Sequence, residues 1–227
     1  MNSTRPLVIA LGLILSGHLA FAQDMSRYRD YALESSVDSV MMAIGTRVSD
    51  VKTLHQRPAA IQQLEWRAPY ADSRDTSVDP VRDISFTFYN DALYQVIVNY
   101  HRDRTEGLTN SDIVESLSAV YGAPTLAPAR TRTSLPAEAF ANSIVIARWE
   151  NAESLLSLIR GPYASEVQLV LISKPLSARA RSAVREAMRL DTLEAPRREE
   201  EKRKKEVVDA SAARDKARLA NKAAFRP

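Results

Sequence analysis

Residues 84–100, ISFTFYNDALYQVIVNY, read as two strands around Asn90-Asp91. Asn and Asp tolerate left-handed backbone, so this dipeptide suits a two-residue hairpin turn. That turn pairs Phe88 with Leu93, Phe86 with Gln95 and Ile84 with Ile97. The other face then holds Ser85, Thr87, Tyr89, Tyr94, Val96, Val98 and Tyr100, a half-aromatic surface that needs a helix, the tail or a partner as cover. A three-residue turn ending at Ala92 instead pairs Phe88 with Tyr94, Phe86 with Val96 and Ile84 with Val98. Nearly everything apolar then shares one face. Strand side chains alternate, so a shift of one residue decides between the two. The short turn is the expectation, because Ala tolerates positive φ poorly.

Working outward, strand-like runs occupy 61–68, 84–89, 93–100, 144–150, 153–160 and 166–173. Each set of three follows a helical pattern. In SSVDSVMMAIG (35–45) and TNSDIVESLSAVYG (109–122), aligning the glycines matches Val37 with Val114, Val40 with Leu117 and Ile44 with Tyr121. Those spacings of three and four place the apolar residues on one helical face. Ser35 with Asp38, and Thr109 with Asp112, fit N-terminal capping, and Gly45 and Gly122 fit left-handed C-caps. The expected fold is α+β: two tandem α-β-β-β units, about 31–103 and 108–175, sharing antiparallel sheet within 23–175. Residues 46–56 are expected to add a short helix ended before Pro58. The stretches 69–82 and 123–143 read as loops.

A helix ending in YGAP (121–124) and followed by aromatic-rich meander strands resembles the small outer-membrane-assembly lipoproteins. Two such units in tandem resemble the beta-lactamase-inhibitor-protein-like arrangement, over about residues 31–174. The resemblance implies helices laid on an antiparallel sheet whose face or loops bind another protein. One departure is the absence of the cysteine that such lipoproteins acylate. The segments IQQLEW, FYN, TEGLT and ANKAAFRP are also similar to an uncharacterised family of exported bacterial proteins, a likeness that implies no activity.

The start of the chain reads as a secretory signal, 1–22. Arg5 supplies the positive charge, Leu7–Leu15 the short apolar run, and Ala20-Phe21-Ala22 the cleavage site. The expected location is periplasmic or secreted, with no membrane span after signal removal. The 227 residues include no cysteine, which excludes disulfides, thiolate metal sites and cysteine nucleophiles.

The net charge of +3 is unevenly spread. Residues 197–227 hold 11 Lys/Arg and 6 Asp/Glu, net +5, whereas 23–196 hold 19 and 22, net −3. Residues 176–195 read as a helix with Ala180, Val184, Ala187, Met188 and Leu190 on its apolar side. Pro196 is expected to interrupt it. The remainder, 196–227, reads as a charged tail, helical or disordered, with Glu199–Arg203, Glu200–Lys204 and Glu201–Lys205 at favourable i,i+4 spacing. Both a solvated helix and contact with anionic surfaces fit it.

Chemistry is harder to find. His55 and His101 have no second ligand at metal spacing, so no metal site is expected. His101-Arg102-Asp103 matches three residues of a kinase loop whose other motifs are missing. Asp72, Asp75 and Asp79 lack calcium-loop spacing. No cofactor motif is present. The bases lie in the tail and the aromatics elsewhere, which argues against nucleic acid. The expectation is therefore a non-catalytic, exported interaction module with an envelope or secreted protein as partner. Tyr89, Tyr94, Tyr100, Trp66 and Trp149 are the candidate partner-binding residues. Two alternatives stand beside it: an envelope-polymer enzyme using carboxylates assembled by folding, and a structural spacer acting through the C-terminal helix.

Overall fold

The hairpin is built on the short turn. Asn90 and Asp91 take φ of 46° and 68°, as a type I′ turn demands. Tyr89 faces Ala92 and Phe88 faces Leu93. One step later the register shifts: Thr87 faces Gln95, Phe86 faces Val96 and Ile84 faces Val98. Tyr94 is the extra residue of a β-bulge. The turn of the first register and the pairing of the second thus coexist, and the expected pairs Phe86–Gln95 and Ile84–Ile97 do not form. The bulge gathers Ile84, Phe86, Phe88, Leu93, Val96 and Val98 into one core, each at most 1% exposed.

The computed structural model describes residues 24–47, 50–68, 79–125, 143–161, 166–224 and 226. The expected signal, 1–22, and most of the two expected loops lie outside them. In chain order the elements are β1 (Arg27–Tyr28), β2 (Tyr31–Ala32), α1 (Val37–Ile44), β3 (Lys52–His55), β4 (Ile61–Arg67), β5 (Val81–Tyr89), β6 (Ala92–Tyr100), α2 (Arg102–Thr105), α3 (Asn110–Tyr121), β7 (Ile144–Glu150), β8 (Ser154–Arg160), β9 (Val167–Ser173) and α4 (Lys174–Ala224). The chain is α+β. Strands β1 and β2 form a small hairpin; the other seven form one sheet in the order β3-β4-β5-β6-β9-β8-β7. All neighbours are antiparallel, and two meanders meet through their last strands, β6 and β9.

Local chemistry explains the helix ends. Thr109 and Asp112 form a full capping box on α3. On α1 the cap is Ser36, one residue beyond the expected Ser35, and its hydroxyl accepts from the Ser39 amide. Gly45 closes α1 in the left-handed region, φ 67° and ψ 31°, whereas Gly122 takes φ 81° with extended ψ. Within the stretch 46–56 expected to hold a short helix, residues 52–55 are instead the edge strand β3, paired with β4; residues 48 and 49 lie outside the described residues, and Asp50 is in a 3-10 turn. Asp50 accepts from Thr46 Oγ1 at 2.7 Å, and the strand gains sheet bonds that an isolated short helix lacks.

The hairpin turn also anchors its neighbours. The Asn90 side chain accepts from the Ala60 amide at 2.9 Å. Asp91 Oδ1 accepts from the Val37 amide, at the start of α1, also at 2.9 Å. Helices α1 and α3 and the β1–β2 hairpin cover one sheet face, where Tyr28, Leu33, Val40, Met41 and Tyr121 join the main core. Leu155, Ile159, Val170 and Ile172 form a smaller cluster with Ile97, on the other face by strand alternation.

Helix α4 lies against β5, β6 and β9 on that second face. It buries Ser177, Ala180, Ala183 and Ala187, while Met188, expected inward, is 52% exposed. Pro196 does not interrupt it: the helix runs unbroken for 51 residues. Proline removes one backbone bond, and Arg198 braces the same turn by donating to the Asp191 carbonyl and carboxylate at 3.1 and 2.8 Å. From Ala195 to Lys222 every residue is exposed. Of the three expected ion pairs here, Glu200–Lys204 forms at 2.8 Å. Glu201 bonds Arg197 instead.

Candidate functional site: the open face of the sheet

The core-sealing register decides where the expected aromatic residues go. Trp149 is 1% exposed, and its indole N–H donates to the Gly122 carbonyl at 2.7 Å. It locks the end of α3 to β7 and has no surface to offer a partner. Trp66 is part-buried and packs on the main core. Tyr100 is part-buried on the same side, with its phenol beside that of Tyr28. Tyr89 and Tyr94 are part-buried at the hairpin end. Burial raises the Tyr94 phenol, and the Arg181 charge on α4 partly offsets this. The five residues therefore do not converge on one surface.

Tyr28, Tyr100 and Tyr121 instead form a cluster beneath an ion pair. Arg29 grips Asp79 with two bonds, of 2.5 and 2.8 Å. This bidentate contact holds the Asp79 carboxyl below its usual range. Burial, then the neighbouring Tyr28, pushes Tyr121 up to about 12. Burial raises Tyr28, and it raises Tyr100 well above the ordinary phenol value. The cluster fastens the N-terminal hairpin to the sheet: its rings are buried or part-buried, and the Tyr121 hydroxyl donates to the Arg27 carbonyl at 3.4 Å.

What remains open is polar. α4 crosses the hairpin end of the second face. At the other end, Gln63, Glu65, Arg67, Arg82, Asp83, Ser85, Ile97, Asn99 and Gln168 line a groove of about 420 Å³ across β4, β5, β6 and β9. The floor is a ladder of side-chain hydrogen bonds. Gln168 donates to Asn99 at 2.8 Å, and Asn99 donates in turn to Asp83. Arg82 also donates to Asp83, at 2.7 Å, and Gln63 donates to Ser85 at 2.9 Å. Asp83 is thus an acceptor held by two donors. Arg67 and Glu65, 3.8 Å apart, stand at the rim, mostly in solvent. Such a surface presents fixed donors and acceptors without aromatic platforms.

Sequence reading passed over these residues. Their signal is a polar residue at every second position of two strands, Gln63, Glu65, Arg67 and Asp83, Ser85, with Asn99 two places from the apolar Ile97 on a third. Only the bulged register shows that these rows lie side by side. Among the described residues, no three His, Cys, Asp or Glu converge as a group able to hold a metal, and no helix is long and apolar enough to cross a membrane. No family model, curated protein or solved structure matches the chain.

Proposed function

We propose that this chain is an exported, non-catalytic interaction module of the bacterial envelope, and that the groove on the open sheet face meets another protein. The observation that carries the reading is the paired polar ladder across four strands, which α4 leaves uncovered. Pre-bonded amides and carboxylates keep fixed positions, so a partner's polar groups meet them at low ordering cost. A face this polar suits a non-obligate contact, because obligate interfaces are more apolar. The duplication belongs to the same proposal: α1-β4-β5-β6 and α3-β7-β8-β9 are two uses of one unit. The mirror-like strand order about β6 and β9 supports it.

Site-specific photocrosslinking in cells tests the binding reading. A photoreactive residue replacing Glu65 is expected to yield one discrete adduct with an envelope protein. Arg67→Glu combined with Arg82→Glu is expected to abolish that adduct while leaving the fold intact, since both side chains are more than half exposed. Adducts no different from those of a probe at Met42, on the outer side of α1, would refute it.

A further inference from the structure

We propose that the projecting half of α4 is an arm that adsorbs to an anionic lipid surface along one line of charge formed by Arg203, Arg214, Arg218 and Lys222. At about 100° per residue these four fall within an arc of about 100°. At 1.5 Å per residue they span about 28 Å. All four are exposed.

Of the arm's ion pairs one, Glu200–Lys204, lies on this line, and none takes up the four named cations. Arg197, Arg198, Lys202 and Lys204 are each engaged by a carboxylate. Arg203, Arg214, Arg218 and Lys222 have no ion pair among the described residues. The one acidic residue on the arc is Glu200, already held by Lys204 at 2.8 Å. Val207 and Ser211 fill the line between Arg203 and Arg214.

The acids on the rest of the helix select the occupant. Glu199, Glu206 and Asp209 lie on other sides of the rod and would oppose any anionic groove that wrapped it, while Glu201 lies about 60° and Asp215 about 20° beyond the Lys222 edge of the arc. A plane touches a rod along one line only, so a flat anionic surface meets the four cations, with Glu200 neutralised by Lys204 and Asp215 at the edge, and leaves Glu199, Glu206 and Asp209 in bulk water. Lys174–Lys222 contains no aromatic residue on which bases could stack. The arm also lacks an apolar face to insert, so attachment is electrostatic and sensitive to salt. This arm is independent of the sheet-face groove.

The test is sedimentation of the mature full-length chain with vesicles of phosphatidylcholine alone or with one third phosphatidylglycerol. Binding to the anionic vesicles is expected at low salt and not at high salt. Each cation at the surface contributes about fivefold in affinity. Arg203→Gln with Arg218→Gln should therefore weaken adsorption about 25-fold, by the same principle. Lys205→Gln with Lys216→Gln removes equal charge from another side and is expected to cost far less. Circular dichroism checks that each variant keeps its helix. The proposal is overturned by no binding to anionic vesicles at low salt, by equal losses in the two double variants, or by equally tight binding to soluble polyglutamate or duplex DNA.

Discussion

Asp91 carries three loads at once. It takes positive φ in the turn, accepts from the first amide of α1, and brings the Leu93 backbone to Ser35 and Glu34, with bonds of 2.9 and 2.7 Å. Alanine can neither accept the amide nor sit easily in left-handed backbone. Asp91→Ala is expected to cost about 2 kcal/mol, summing a lost cap and the left-handed penalty. Asp91→Asn keeps both features and should cost well under half of that. Urea unfolding of the two variants reads the difference. The turn was legible in the residues because Asn-Asp chemistry is local. Tyr94 as a bulge was not, because no property of Tyr94 itself requires it; the demand comes from burying Val96 and Val98 beside Phe86.

At the scale of elements, local signals served well wherever the bonding was local. The capping box of Thr109 and Asp112 is self-contained, and α3 begins where it says. Strand β3 was misread as helix because its reason for being extended is β4, an element that follows it. Pro196 misled in the opposite direction: one missing bond did not outweigh strong helix formers on both sides and the Arg198 brace. The β1–β2 hairpin had no local signal, since its anchors are Tyr100, Tyr121 and Asp79, all distant in sequence. Its attachment should depend on alkali. A phenol raised on folding contributes stability that is complete below the unfolded value of about 10 and is lost as pH rises through the folded value. Tyr121, at about 12, sets the window between those two. Chain stability followed by urea midpoints is expected to fall across it, and Tyr121→Phe, which cannot ionise, should flatten the fall.

For the whole molecule, the α+β class and six of the sheet's strands were readable from alternation and turns, but the strand order was not. Nothing in LYQVIVNY or EVQLVLIS states that they lie side by side; that pairing joins residues far apart, such as Val98 and Leu169. The groove inherits this limit, because its two ends come from β4 and β9. The arm divides from the body sharply, with Glu194 still part-buried and bonded to Arg57 at 2.9 Å and everything from Ala195 to Lys222 in solvent. Ending the chain after Ala195 removes only exposed pairs, each contributing about 1 kcal/mol at most. The thermal midpoint of the shortened chain is expected to match that of the full chain within a few degrees by scanning calorimetry. A drop much larger than that would mean the arm supports the body.

The unbroken passage of α4 through Pro196 also sets a distance. A loose tether lets its far end sweep a volume. A hydrogen-bonded rod of some thirty residues keeps its tip about 45 Å from where it leaves the sheet. Whatever holds the tip therefore holds the rest of the molecule at a set stand-off and a set attitude.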